Sequence, residues 1–310
     1  MLLIGGASLV RGATGIAQSF NVPNIVIGLT VVAFGTSAPE LVINVTGALQ
    51  GKTDLAFGNA VGSNLANFGL VLGIAAVMSP IYLQGQVIRR EVPFLLLITA
   101  ILLVMVWDAP LSGTQALLDR GDAIILFLLF TVFVYFMVRD FISAEGDPLL
   151  VEGDNLSSKA SGNGLFNSAL LLIGLVLLVV GGEMTIDNGV AIAKIMGVSE
   201  VVIGMFVLAV GTSLPELVTS GIAAYKKETD LALGNIVGSN IFNSLVVLPA
   251  AAIIRPLPIP EGGDWDLAVG GAFVLVIIPL FLFSNARLGR LAGIGLITSY
   301  FLYLYIRFNF

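Results

Sequence analysis

The sequence predicts an all-α polytopic membrane protein with ten transmembrane helices in two inverted five-helix repeats. Helices two, three, seven and eight are predicted to be broken at the membrane midplane. The first observation is composition: 57% of the 310 residues are hydrophobic, 11% are charged, and the mean hydropathy is +1.02. A soluble domain carries roughly 25% charged residues. The second observation is ten apolar blocks, and the third is an internal repeat at a shift of 176 positions.

The apolar blocks give the ten helices in order, because a helix of about 20 apolar residues crosses a bilayer. They lie at 1–17, 22–50, 54–80, 92–107, 121–138, 164–182, 198–225, 230–254, 266–283 and 288–308.

The longest polar interval divides the chain into two halves. Residues 139–163 are acidic and rich in Ser and Gly, which is typical of a flexible linker. We therefore expect a first half at 1–138, a linker at 139–163 and a second half at 164–310. Lys and Arg are more numerous in the loops on the linker's side. This bias favours an orientation with the N-terminus outside and the linker in the cytoplasm. We expect the protein in the plasma membrane.

The internal repeat aligns Leu3–Pro80 with Val179–Pro256 without a gap, and about half of the positions are identical between 22–80 and 198–256. Five spans separate equivalent positions, and five is odd, so the two halves run through the membrane in opposite directions. A duplication kept only for helix packing explains this poorly, because the polar residues match best. The first helix lacks a counterpart of 165–176, so we expect either a truncated N-terminus or a short, tilted helix.

The residue types exclude several kinds of chemistry. The chain has no Cys and no His, so it has neither thiolate nor imidazole for catalysis or metal binding. The net charge of −6 and the lack of basic clusters argue against nucleic-acid binding. The sequence predicts a protein that is not an enzyme and has no cofactor.

Polar residues interrupt the second and seventh apolar blocks at equivalent places. The segments are "AFGTSAPELV" at 33–42 and "AVGTSLPELV" at 209–218. The proline of each segment frees a backbone carbonyl, and such a break is tolerated in a membrane only inside protein or beside a polar cavity. Glu40 and Glu216 add carboxylates at this depth, where an ionisable group indicates function. A protonated structural Glu is the alternative.

The next helix of each half adds amides and hydroxyls. The segments are "GNAVGSNLAN" at 58–67 and "GNIVGSNIFN" at 234–243, and their polar residues recur every four positions along one helix face. Their glycine spacing also allows close helix packing. Together with the two carboxylates, the residues offer only oxygen ligands, which hard cations such as Ca²⁺ and Na⁺ prefer.

These paired motifs resemble the two alpha-repeats of the cation/calcium exchanger superfamily, and the likeness to its prokaryotic sodium/calcium exchangers covers nearly the whole chain. The resemblance implies antiport of Na⁺ against Ca²⁺ by alternating access, with electrogenic Ca²⁺ export. It also implies that Glu40 and Glu216 chelate Ca²⁺ with the carbonyls of Thr36 and Thr212.

The resemblance also implies two flanking Na⁺ sites and a central position. One Na⁺ site combines Ala33, Thr36, Glu40 and Ser63, and the other combines Ala209, Thr212, Glu216 and Ser239. Asn67 and Asn243 flank the central position, and the hydroxyls of Ser37 and Ser213 complete the set of candidate ligands.

Asn243 departs from the pattern of the potassium-dependent relatives, which have Asp at this position. The departure puts a K⁺ role in doubt. A H⁺/Ca²⁺ antiporter remains an alternative function, because the two glutamates could exchange Ca²⁺ for protons. A channel or a membrane enzyme is a further alternative, although no nucleophile–base pair supports an enzyme.

Overall fold

The computed structural model describes residues 1–20, 22–82, 87–107, 113, 116–144, 164–195, 209–283 and 287–309. Nearly all of these residues are helical. The helices of the first half are α1 (Leu2–Ser19), α2 (Asn24–Thr36), α3 (Ala38–Leu49), α4 (Thr53–Met78), α5 (Val92–Val106) and α6 (Arg120–Ala144). Helix α6 continues through 139–144, the first residues of the predicted linker, and the rest of that linker lies outside the described residues.

The second half repeats this order. Its helices are α7 (Gly164–Ile195), α8 (Ala209–Thr212), α9 (Leu214–Tyr225), α10 (Thr229–Ile254), α11 (Gly263–Phe283) and α12 (Arg290–Asn309). The predicted span at 198–225 is described only from residue 209 onward.

Four described helices are long and apolar enough to cross a membrane, namely α4, α6, α7 and α10. The pair α2 and α3, bent by 42° at its break, makes a fifth span. The other predicted spans correspond to α1, α5, α8–α9, α11 and α12. Each of the four long helices contains an apolar stretch of 18 residues. The buried share of this stretch is 67% in α4 and 83% in α10, against 22% in α6 and 28% in α7. Helices α4 and α10 are therefore the central helices, and α6 and α7 present most of their apolar surface to lipid.

Two short strand pairs join the halves. Strand β1 (Ile81–Tyr82) follows α4 and pairs antiparallel with β4 (Arg287–Leu288), which precedes α12. Strand β3 (Leu257–Pro258) follows α10 and pairs with β2 (Leu117–Leu118), which precedes α6. Each half thus pairs the segment after its central helix with the segment before the last helix of the other half. This reciprocal exchange is the pattern that an inverted repeat requires.

Glycines bring α10 against α2 at backbone contact. A Cβ on Gly234 would lie 2.6 Å from the carbonyl oxygen of Ile25, and one on Gly238 would lie 2.5 Å from that of Leu29. This confirms the close packing expected from the four-residue glycine spacing in the second half. The equivalent neighbours of the first-half glycines, residues 201–208, lie outside the described residues.

Candidate cation-binding site

In each of the two repeated segments, 33–42 and 209–218, the helix breaks at the serine. Helix α2 ends at Thr36 and α3 begins at Ala38, so Ser37 lies in the break, and Pro39 follows in the first turn of α3. In the second half Ser213 lies between α8 and α9, and Pro215 takes the equivalent place. Proline is tolerated in a first helical turn because the amide hydrogen there has no intrahelical partner. The sequence therefore starts a new helix immediately before each candidate carboxylate.

The two carboxylates lie in these first turns, completely buried. Glu40 and Glu216 are both 0% exposed. The Ser37 hydroxyl donates to Glu216 Oε1 at 2.8 Å, which connects the break of the first half to the carboxylate of the second. Ser63 Oγ lies 3.4 Å from Glu40 Oε1, and Ser239 Oγ lies 3.4 Å from Glu216 Oε1. The structure thus gathers residues from four helices, two in each half, around the carboxylates.

The serines of α4 and α10 bridge the two halves. Ser63 Oγ lies 3.2 Å from Thr212 Oγ1, and Ser239 Oγ lies 3.4 Å from the carbonyl oxygen of Ala33. The grouping that the resemblance implies places Ser63 with Ala33 and Ser239 with Thr212. Ser63 contacts Glu40 of its own group and also Thr212 of the other group. Ser239 contacts Glu216 of its own group and also the Ala33 carbonyl of the other group. Each serine therefore lies between the two groups, because the antiparallel halves bring each central helix beside the broken helix of the other half.

Asn67 and Asn243 each begin a π-helical turn within α4 and α10, at Asn67–Val71 and Asn243–Val247. Both side chains are at most 1% exposed, and neither amide has a hydrogen-bond partner on its oxygen or its nitrogen. The same holds for Oε2 of Glu40 and of Glu216. An unsatisfied buried polar group costs roughly 1–3 kcal/mol, so six such atoms on the helices that carry the candidate ligands indicate a site built for a polar or charged ligand.

Two further asparagines belong to this region, and sequence reasoning noted their spacing without placing them among the candidate ligands. Thr36 Oγ1 donates to Asn235 Oδ1 at 3.0 Å, and Thr212 Oγ1 donates to Asn59 Oδ1 at 3.2 Å. Both asparagines are at least 96% buried. The 176-position repeat marked them as equivalent, but it gave no sign that each contacts the threonine of the opposite half.

The remaining candidate ligands are less completely described. Ser213 is 3% exposed at its break. Ala209 begins α8, and its side chain lies outside the described residues. Among the residues that the structure describes, no group of three or more His, Cys, Asp or Glu side chains is placed to hold a metal. The candidate site therefore combines two carboxylates with neutral oxygen donors.

A cavity of about 350 Å³ leads to this site along α7. Its wall includes Thr212, Pro39 and Val42, with Glu183 and Asp187 from α7. A Cβ on Gly182 would meet nothing nearer than Pro215 Cγ at 3.7 Å.

The repeat-equivalent interface on the other side of the site is closed. Gly6 of α1 is equivalent to Gly182, and a Cβ there would lie 2.8 Å from Ile222 Cδ1 and 2.9 Å from Val218 Cγ1. The same helix interface is therefore open in one half and packed in the other.

A sequence model of the family described as "Sodium/calcium exchanger protein" matches residues 1–139 and 166–309. The chain belongs to the sodium/calcium exchanger family. It is 37% identical over its full length to the putative antiporter CaxA of Alkalimonas amylolytica, covering 96% of that protein. It is 28% identical to the sodium/calcium exchanger MaX1 of Methanosarcina acetivorans, with 99% of this chain and 95% of MaX1 covered.

Solved structures agree with this assignment. A structure of the sodium-calcium exchanger NCX_Mj soaked with 2.5 mM Na⁺ and 0.1 mM Ca²⁺ matches with a TM-score of 0.81 at 30% identity, covering 98% of this chain and 94% of NCX_Mj. A structure soaked with zero Na⁺ and Ca²⁺ matches at 0.82 with the same coverage. The predicted fold class is thereby confirmed. The exchanger is a multi-pass membrane transporter for cation/Ca²⁺ antiport, not an enzyme, and the ions that it transports are its cargo rather than cofactors.

Proposed function

We propose that this exchanger exports Ca²⁺ from the cytoplasm in exchange for Na⁺, and that Glu40 and Glu216 bind both ions in turn. The observation that carries the proposal is the pair of buried carboxylates, each with an Oε2 atom that has no hydrogen-bond partner. Two negative charges balance one Ca²⁺, and carboxylate oxygens are its preferred ligands. Because both ions need the same two carboxylates, they bind in turn and the transport cycle is an exchange.

The other ligands divide between the two ions. Ca²⁺ lies between the carboxylates, with the carbonyl oxygens of Thr36 and Thr212. One Na⁺ position lies beside the Ala33 carbonyl and the Ser239 hydroxyl, 3.4 Å apart, and the other lies beside Ser63 and Thr212, 3.2 Å apart. The serine hydroxyls and the amide oxygens of Asn67 and Asn243 are neutral ligands, which suit the lower charge of Na⁺.

The open and closed interfaces support alternating access. The cavity beside Gly182 reaches Thr212, while the packing of Gly6 against Val218 and Ile222 closes the equivalent interface of the other half. We place the open side outside the cell, with the N-terminus outside and residues 139–163 in the cytoplasm of a plasma-membrane protein. Exchanging the conformations of the two halves then opens the inner route and closes the outer one.

A flux assay tests the function directly. Protein reconstituted in proteoliposomes is given an outward or inward Na⁺ gradient, with the proton gradient collapsed by an ionophore, and ⁴⁵Ca²⁺ movement is measured. The proposal expects Ca²⁺ flux that requires Na⁺ on the opposite side. Ca²⁺ flux that follows an imposed pH gradient and ignores Na⁺ would instead establish the H⁺/Ca²⁺ antiporter.

Substitution of the carboxylates tests their role. Glu216→Gln and Glu40→Gln keep the side-chain shape but remove a charge that desolvated Ca²⁺ needs, so each should abolish Ca²⁺ flux in protein that still elutes as a single species. Glu261→Gln, the same substitution at an exposed loop position, is the matched control and should retain flux. Undiminished flux in either buried variant would contradict the assignment.

A further inference from the structure

Two hydrogen-bonded relays cross between the halves beside the candidate ligands. In the first, Thr212 Oγ1 donates to Asn59 Oδ1 at 3.2 Å, and Asn59 Nδ2 donates to Asn44 Oδ1 at 3.3 Å. In the second, Thr36 Oγ1 donates to Asn235 Oδ1 at 3.0 Å, and Asn235 Nδ2 donates to Ser220 Oγ at 2.9 Å. All of these side chains are at least 96% buried.

We propose that Asn59 and Asn235 are positioning residues that fix the hydroxyl groups of Thr212 and Thr36 as acceptors toward the transported cation. The inference rests on the proposed function, because it assigns these two asparagines a part in the affinity of the same site for Na⁺.

The chemistry of the hydroxyl group gives the reason. A threonine hydroxyl has one proton and two acceptor lone pairs. A cation is bound by lone pairs, so a hydroxyl whose proton points into the site opposes binding. The amide oxygen of the asparagine accepts this proton in a hydrogen bond, which leaves the hydroxyl lone pairs available to the cation. Buried partners that orient a ligand in this way commonly change ion affinity when they are removed.

The second relay also acts on a backbone ligand. The Thr36 proton has three acceptors within reach, which are Asn235 Oδ1 at 3.0 Å, the Ala33 carbonyl oxygen at 3.3 Å and the Glu216 carboxylate. Without Asn235 the proton turns to one of the other two acceptors. Both of these are proposed cation ligands, so loss of Asn235 affects two ligands at once.

The relays connect the halves in a crossed manner. Asn59, on α4 of the first half, accepts a hydrogen bond from Thr212 of the second half. Asn235, on α10 of the second half, accepts one from Thr36 of the first half. Each asparagine should therefore be coupled energetically to the threonine of the opposite half and not to the threonine of its own half.

Double-mutant cycles measure this coupling. The readout is the Na⁺ concentration that gives half-maximal Ca²⁺ flux, measured with the maximal flux and the thermal midpoint of the detergent-solubilised protein. Asn59→Ala should raise the half-saturating Na⁺ concentration roughly threefold to tenfold, the worth of one buried hydrogen bond. In a Thr212→Val background, which lacks the hydroxyl, Asn59→Ala should have no further effect. In a Thr36→Val background, by contrast, Asn59→Ala should raise the half-saturating Na⁺ concentration by the same factor as in the wild type.

Asn64 and Asn240 provide matched controls on the same two helices. Asn64 Nδ2 donates to Ser244 Oγ at 3.0 Å, and Asn64 Oδ1, the atom that would accept a threonine proton, has no hydrogen-bond partner. Asn240 Nδ2 donates to the Ile236 carbonyl of its own helix at 2.8 Å. Asn64→Ala and Asn240→Ala should leave the half-saturating Na⁺ concentration unchanged, even where they lower the thermal midpoint.

The outcomes separate the proposal from its basis. Wild-type protein without Na⁺-dependent Ca²⁺ flux would refute the proposed function itself. Normal wild-type flux combined with additive losses for Asn59→Ala and Thr212→Val would overturn the relay, as would an equal change in the Asn64→Ala control. If Asn59→Ala is not recovered as folded protein, the cycle of Asn235→Ala with Thr36→Val applies the same criterion to the second relay.

Discussion

The charge of the site makes a quantitative prediction about membrane potential. Among the described residues the buried carboxylates are Glu40, Glu91 and Glu216, and Glu91 is paired with Arg90. With Glu40 and Glu216 both ionised, the proposed cation site carries two negative charges. One Ca²⁺ brings its charge to zero, whereas three Na⁺ bring it to +1, so exchange of three Na⁺ for one Ca²⁺ moves one net charge per cycle.

The magnitude follows from the work of moving that charge across the membrane. Each elementary charge gains about 2.3 kcal/mol per 100 mV. This energy corresponds to a change on the order of fiftyfold in the equilibrium Ca²⁺ ratio, because a factor of ten costs about 1.4 kcal/mol. At a fixed Na⁺ gradient, an inside-negative potential of 100 mV should therefore raise the outside-to-inside Ca²⁺ ratio at equilibrium by about this factor.

The assay uses proteoliposomes with a fixed Na⁺ gradient and several potentials set by K⁺ and valinomycin. The Ca²⁺ ratio at zero net flux is measured, and a K⁺-free preparation at matched voltage serves as the control. A ratio that does not change with potential would refute three-for-one exchange. A K⁺ requirement at fixed voltage would refute the interpretation of Asn243.

Asn243→Asp adds a carboxylate and should make the rate of Ca²⁺ transport depend on pH or K⁺. The change of the equilibrium Ca²⁺ ratio with voltage depends only on stoichiometry and should stay the same.

Two further predictions concern the flanking ligands and the access route. Ser63→Ala and Ser239→Ala each remove a hydroxyl from a proposed Na⁺ position, so each should raise the half-saturating Na⁺ concentration roughly threefold to tenfold and change Ca²⁺ affinity less; equal losses for both ions would indicate purely structural serines. Because the chain has no native Cys, thiol labelling reports only on introduced positions. The Val42→Cys variant, in the cavity wall, should react faster with a water-soluble reagent than Val218→Cys, packed beside Gly6; equal rates would contradict the one-sided opening.

The sequence predicts much of this architecture because the repeat is strict and its polar residues are few. Breaks at Ser37 and Ser213 follow from the prolines two residues later, and the burial of Glu40 and Glu216 follows from the apolar residues around them. A shift of 176 positions shows which residues are equivalent, but it does not show which residues touch.

The contacts between the halves are what the sequence leaves open. The Ser37–Glu216 bond and the contacts of Ser63 and Ser239 with the opposite half depend on how the antiparallel halves pack together. The π-helical turns that begin at Asn67 and Asn243 were likewise not predicted.

The reciprocal strand pairs have a consequence for biosynthesis. Strand β1 ends at Tyr82, and its partner β4 begins at Arg287, so the ribosome adds about two hundred residues between them. At roughly 5–20 residues per second this takes about ten to forty seconds. Until Glu216 is added during that interval, Ser37 lacks this partner, and the polar groups around Glu40 lie in the membrane without the matching residues of the other half. The newly inserted first half must therefore be shielded from lipid by the insertion machinery until the second half arrives.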